Sequence, residues 1–261
     1  MIMSHFLIRS KNPETRLCAS SGGFAREFLA GLLRYRLVDV VCYVSTGNSA
    51  NGLRPIIRTT SDPSEILTST CTSSVYHPVN PLPTIARVQG RCAATLLACH
   101  AKSANRQSLP HLTCKVELLC KLVPPRRWTL EMLAQMKVDP SNVSKYAYRY
   151  GEPPGKFTVW TRDNKLLTKD FRPSWPDEDR EHFPSFCKSC ALRDGGSDVL
   201  CCDPWRISGA IGFTLVSVRS SKWMPIIRQL ERDGQIETHP VSRQEWERNN
   251  QRFYACKAVR K

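Results

Sequence analysis

The stretch from Phe24 to Val44 constrains the fold more than any other part of the chain. Phe24, Phe28, Leu32 and Leu33 share one helical face, and residues 38–44 follow as an apolar run of strand length, broken only by Asp39. The alternation repeats downstream. Residues 84–88 read as a strand, 93–101 as a helix, 112–119 as a strand and 129–136 as a helix. Strands and helices in alternation favour a mostly parallel sheet covered by helices.

From about residue 141 the character changes. Residues 146–150 and 157–161 flank Gly151-Glu-Pro-Pro-Gly155, a loop suited to an antiparallel hairpin. Residues 198–202, 213–218 and 236–241 read as strands, and 244–253 as a helix. Residues 222–232 are helical too, with Pro225 tolerated because it falls in the first turn. Residues 48–83, rich in Ser, Thr and Pro, read as a long, partly ordered crossover with one short helix at 63–67. The expected fold is α/β with α+β character in its second half: a mostly parallel or mixed sheet with helices, plus an antiparallel hairpin region. One domain is expected over residues 1–261, with an N-terminal part of about 15–140 and a C-terminal part of about 141–261.

A hydrophobic fraction of 41% with 23% charged residues excludes wholesale disorder and a multi-spanning membrane protein. The longest apolar run, 37–44, is far short of a bilayer span, and residues 1–16 lack the apolar stretch of a secretory leader, so the cytoplasm is the expected address. The net charge of +15 is spread along the chain in short pairs such as Arg126-Arg127. That pattern reads as a solvated basic surface, and nucleic acid is not the expected partner. No dinucleotide-binding G-x-G-x-x-G, H-E-x-x-H or G-x-S-x-G pattern occurs.

Twelve cysteines in a reducing compartment divide between buried small hydrophobes and metal or cluster ligands. Cys187-Lys-Ser-Cys190 puts two thiols on one side of a tight turn, which suits zinc, an iron–sulfur cluster or a redox dithiol. Cys201 and Cys202 fall in an apparent strand, where neighbours face opposite ways. Cys92 and Cys120 each stand just after an apparent strand, where α/β folds build their sites, and with Cys187 and Cys190 would make a four-thiolate set. Both also read as packed hydrophobes. Cys18, Cys42, Cys71, Cys99, Cys114 and Cys256 have no ligand-like spacing and are assigned to packing or the surface. Ser20-Ser21-Gly22-Gly23 reads either as a phosphate cradle, with serine caps and glycines at a helix start, or as an ordinary capped helix.

Four pieces in this order resemble the coenzyme F420-reducing hydrogenase/dehydrogenase beta-subunit family: Ser20-Ser-Gly-Gly-Phe24, the strand-then-cysteine pair at Cys92 and Cys120, Cys187-x-x-Cys190, and Ser197-Asp-Val-Leu-Cys-Cys-Asp-Pro-Trp205. The resemblance runs from about Thr15 to Glu237 and takes in Ser74 to Pro78, Tyr148-Arg149 and residues 212–219. It implies an oxidoreductase subunit that binds a flavin, FAD or FMN, and one 4Fe–4S cluster. Electrons would pass between them, with hydride transfer to or from coenzyme F420 or another small redox substrate. A partner subunit would donate or accept electrons.

By the same resemblance Ser20, Ser21, Gly22 and Gly23 would line the flavin phosphates. Asp198, Asp203 and Thr214 would lie near the flavin, and Arg149 near an anionic cofactor group. Cys92, Cys120, Cys187 and Cys190 would ligate the cluster. Gly90-Arg-Cys92 departs from the family's G-T-P-C, and Cys202 replaces the glycine before Asp203. Two readings of other classes stand beside it. One is a basic zinc-binding nucleic-acid module using Cys187 and Cys190 with Cys201 or Cys202. The other is a relative without cofactors that acts by protein interaction.

Overall fold

Eight strands form the main sheet of this computed structural model, which describes residues 3–46, 53–68, 75–170 and 183–258. Four of them are parallel and central: β2 (Val40–Thr46), β4 (Cys92–Leu97), β5 (Leu112–Leu118) and β9 (Val199–Cys202). β3 (Pro55–Thr60) pairs antiparallel with β2 at one edge. At the other, β10 (Thr214–Val218), β1 (Ser4–Ser10) and β11 (Ile236–Val241) continue the sheet antiparallel, giving the order β11-β1-β10-β9-β5-β4-β2-β3. A second sheet, β6 (Val143–Tyr150), β7 (Lys156–Thr161) and β8 (Leu166–Asp170), is wholly antiparallel.

The expected mixed α/β architecture is therefore present, with the hairpin as part of the smaller sheet. The strands at 198–202, 213–218 and 236–241 close the large sheet instead of forming one of their own.

Side chains alternate across the sheet and two helical layers cover it. On one face Val41, Val116, Val199 and Val216 pack against α2 (Phe24–Arg34) and α8 (Met224–Arg232), through Phe28, Leu32, Ile227 and Leu230. Gly31 permits that contact, since a Cβ there would meet Leu230 Cδ2 at 2.9 Å. On the other face Cys42, Ala94 and Leu96 meet Ala101 and Ala104 of α5 (Ala98–Gln107), while Leu200 and Leu215 meet Trp246 of α9 (Arg243–Ala258). The smaller sheet packs Tyr146, Tyr148 and Phe157 against Leu133 of α6 (Arg126–Gln135). Short helices occupy Pro13–Leu17 (α1), Pro63–Leu67 (α3), Leu82–Ile85 (α4) and Ser185–Lys188 (α7).

Three sequence expectations are corrected. Residues 84–88 are not a strand: Pro81 and Pro83 set helical dihedrals, and α4 buries Leu82 and Ile85. The expected helix at 93–101 is split between β4 and α5, because Ala93 and Ala94 lie fully buried between neighbouring strands with both faces covered. Burial overrides alanine's helical propensity at that place. The cap of α2 is Gly23, in the left-handed conformation at φ 81°, and not a serine. β1, β3 and β8 are strands that periodicity did not single out. Cys71 and Ser74 lie outside the described residues.

Candidate functional site: a four-thiol cavity

The carboxyl ends of the parallel strands gather the thiols. Cys99 sits in the first turn of α5, immediately after β4, and Cys120 follows β5. Cys187 lies in α7 and Cys190 just beyond it, with the Cys190 N–H donating to Cys187 O at 3.3 Å to close the turn. All four thiols line one cavity of about 560 Å³, with Lys257, His100 and an apolar wall that includes Leu97, Leu122 and Val123.

Glycine chemistry explains why segments so distant in sequence meet. Gly195, in the loop after Cys190, lies so close to the start of α5 that a Cβ would stand 2.4 Å from Ala98 O. Asn105 Nδ2 donates to Gly195 O at 3.0 Å and to Gly196 O at 3.1 Å, and the Gly195 N–H donates to the buried Glu117 Oε2 at 3.1 Å. Arg219 Nη1 lies 3.6 Å from the same carboxylate oxygen and forms a closer pair with Asp194 at 2.5 Å. The C-x-x-C segment is thus tied to both α5 and β5, the elements that carry Cys99 and Cys120.

Partial burial favours the protonated thiol at Cys99 and Cys120. It pushes the Cys120 thiol up to about 12, an effect Lys257 opposes and Cys99, Cys187 and Cys190 reinforce. Burial also raises Cys99, with smaller contributions from Cys190 and Cys187. His100 is lowered to about 4 by burial, so it is neutral near pH 7. Its Nδ1 accepts the Leu97 N–H at 3.4 Å, an engagement within the helix start.

The expected ligand set is therefore partly moved. Cys120, Cys187 and Cys190 come together, but Cys92 does not join them. It opens β4 at the opposite end of the strand, fully buried among Cys42, Ala94 and Leu112. Cys99, assigned from the sequence to packing or the surface, takes its place. The misplaced boundary between β4 and α5 hid it. Cys201 and Cys202 belong to different core clusters on opposite sides of β9, and neither lines the cavity of Cys187 and Cys190.

Among the described residues no three His, Cys, Asp or Glu side chains are arranged to hold a single metal ion. A cluster spreads its ligands around several irons, and soft thiolates are its usual ligands. Four thiols around a roomy apolar cavity fit that group.

The residues expected around a flavin are partly gathered elsewhere. Ser21 Oγ lies 2.9 Å from Thr214 Oγ1. Arg149 donates to Asp203 Oδ2 at 2.6 Å and to Pro154 O at 2.7 Å, and its guanidinium stands 5.1 Å from the Trp205 ring. The gap among Ser21, Arg149, Asp203 and Phe213 measures about 10 Å³. Between these side chains that is room for about one water. Gly22 serves the fold: a Cβ would meet Ile8 O at 2.5 Å and Thr214 N at 2.6 Å. Asp198 is not part of this group. It precedes β9, accepts the Lys115 N–H at 2.9 Å and pairs with Lys115 and Lys222, each at 3.9 Å.

Comparison with known proteins agrees with this architecture. Residues 5–86 match the N-terminal family model of the coenzyme F420 hydrogenase/dehydrogenase beta subunit, and residues 90–244 match the C-terminal model of the same family. A search of curated proteins finds no match. Among solved structures, a chain of the xenon-derivatized F420-reducing [NiFe] hydrogenase complex from Methanosarcina barkeri is similar in fold. The TM-score is 0.72 at 15% identity, covering 98% of this chain and 90% of that one.

Proposed function

The chain belongs to the coenzyme F420 hydrogenase/dehydrogenase beta-subunit family, and from that premise we propose that it is an electron-transfer subunit holding one 4Fe–4S cluster at Cys99, Cys120, Cys187 and Cys190. The observation that carries the proposal is the convergence of these four thiols on one cavity. When bound, such a cluster supplies one-electron transfer at a potential set by its surroundings. The chain's own part is to hold the ligands and keep them dry. β4 and β5 present Cys99 and Cys120 side by side, the Gly195 contact brings Cys187 and Cys190 against them, and Leu97, Leu122 and Val123 exclude water.

A partner subunit is the proposed electron donor or acceptor. Phe186, next to Cys187 and 63% exposed, marks where the cavity wall reaches the surface. Coenzyme F420 or another small redox substrate is proposed as the far end of the transfer. A flavin held near Ser21, Arg149, Asp203 and Thr214 is proposed as the group that would supply hydride transfer to that substrate.

Purification without oxygen, followed by loading with iron and sulfide, tests the reading. About four irons per chain with matching acid-labile sulfide and a broad visible band are expected, as a Cys₄-held cubane requires. A chain that takes up no iron, or takes zinc alone, overturns it.

A further inference from the structure

Lys257 is the one cation that the described wall of the thiol cavity buries. It comes from the last turn of α9, far from the cysteines in sequence, and is 2% exposed. Lysines in the last turn of a helix usually stay in water, where the ammonium complements the helix dipole without losing its hydration. Here Nζ donates to Cys190 Sγ at 3.4 Å and stands 5.8 Å from the Phe253 ring.

The burial is built in by the helix. Trp246, Asn250, Phe253 and Lys257 recur at intervals of four, three and four, one continuous face of α9. Trp246 is buried against Leu200 and Leu215 and stacks on His5 at 4.8 Å between centroids. Asn249 Nδ2 donates to Asp203 O at 3.0 Å, and its Oδ1 accepts the Arg206 N–H at 2.9 Å. Once these contacts seat the helix, its last turn has nowhere to go but over the thiols. A buried ammonium is costly unless a negative group faces it. A neutral thiol is a weak acceptor; a thiolate bound to a metal centre is a strong one.

We propose that Lys257 is the counter-charge of the thiolate-held centre, a positioning residue whose ammonium offsets negative charge at Cys190 and thereby couples the seating of α9 to occupancy of the cavity. This rests on the cluster reading above. Two consequences follow. Reduction adds an electron beside Lys257, so a neutral side chain there makes reduction harder. Loading the centre supplies the ammonium with its partner, so the last turns of α9 become more protected.

The test compares Lys257→Gln, Lys257→Arg and the unaltered chain, each loaded with iron and sulfide. Midpoint potentials are read from the visible spectrum, and amide exchange over α9 is followed in the apo and loaded unaltered chain. Lys257→Gln is expected to hold iron with a midpoint shifted to more negative potential, with Lys257→Arg close to the unaltered protein. Exchange over residues 250–257 is expected to slow several-fold on loading. An unshifted midpoint in Lys257→Gln overturns the counter-charge role while leaving the cluster standing. Where Lys257→Gln does not fold or load, exchange in the unaltered chain decides, and equal rates with and without iron overturn the proposal. No iron in the unaltered chain overturns the cluster reading and this one with it.

Discussion

Cys99 and Cys120 each stand two residues beyond Leu97 and Leu118, which are register partners at the carboxyl ends of the adjacent parallel strands β4 and β5. Parallel register makes them neighbours at the carboxyl end of these strands, while Cys92, at the other end of β4, is paired with Leu112 at the start of β5. Replacing Cys99 with Ser should therefore lower bound iron well below that of the unaltered chain. Cys92→Ala should leave iron content unchanged at a stability cost of about 1–2 kcal/mol for the lost buried sulfur. Iron analysis of the two variants, with urea melts, separates them. Equal iron loss in both would undo the assignment of Cys99.

Gly195 holds the C-x-x-C segment to α5 through backbone contact, with no side chain in between. A methyl group at that position collides with Ala98 O, so Gly195→Ala should cost about 1–3 kcal/mol and loosen the Cys187–Cys190 loop. Alkylation of Cys187 and Cys190 in the apo protein, followed by mass spectrometry, should be faster in the variant. An unchanged rate would mean that Asn105 and Glu117 hold the segment without the close approach.

Arg149 and Asp203 form an ion pair whose arginine is almost wholly buried. Burial raises the Asp203 carboxyl, and Arg149 works against that rise. Arg149→Met leaves the carboxylate without its cation, a loss of about 3–5 kcal/mol for a buried pair. The sign with pH follows. A carboxyl whose folded-state pKa lies above its unfolded value stabilises the fold at low pH and loses that contribution as pH rises through the folded value. The deficit of Arg149→Met relative to the unaltered chain should therefore be larger at neutral pH than near pH 4. Chemical denaturation at the two pH values measures it.

Burial raises the thiols of Cys42, Cys92 and Cys120 from 9.0 to about 12. Their unfolded counterparts ionise first, so the apo protein keeps this stabilisation below about pH 9 and loses it progressively toward pH 12. At about pH 10 the expected loss is about 1–2 kcal/mol per thiol. A denaturation midpoint that does not move between about pH 8 and pH 10 would contradict the raised values of these thiols. A centre held at Cys120 should oppose the loss in the loaded protein, since its thiolate is then consumed by the metal.

The order of residues was enough for whatever is local and periodic. The helical face of Phe24, Phe28 and Leu32 followed by an apolar strand led to the α2–β2 unit. Alternation downstream led to a mixed sheet with helices, and Gly151 to Gly155 to the hairpin. Cys187-x-x-Cys190 and Cys120 were legible as members of one thiol group because a tight turn and a strand end are short-range features. The family resemblance rested on the Ser20–Phe24, Cys92, Cys120, Cys187–Cys190 and Ser197–Trp205 pieces and agrees with the matched models. Long-range contacts settled the rest. Whether an alanine pair is strand or helix depends on what covers it, and burial of Ala93 and Ala94 inside the sheet moved the strand end to Leu97 and brought Cys99 to the cavity. Which thiols meet, and that Lys257 meets them, depends on contacts such as Gly195 with Ala98 and Trp246 with Leu200, formed between residues far apart in the chain. Periodicity records which way a side chain faces along its own element; it holds no record of what the fold will set opposite.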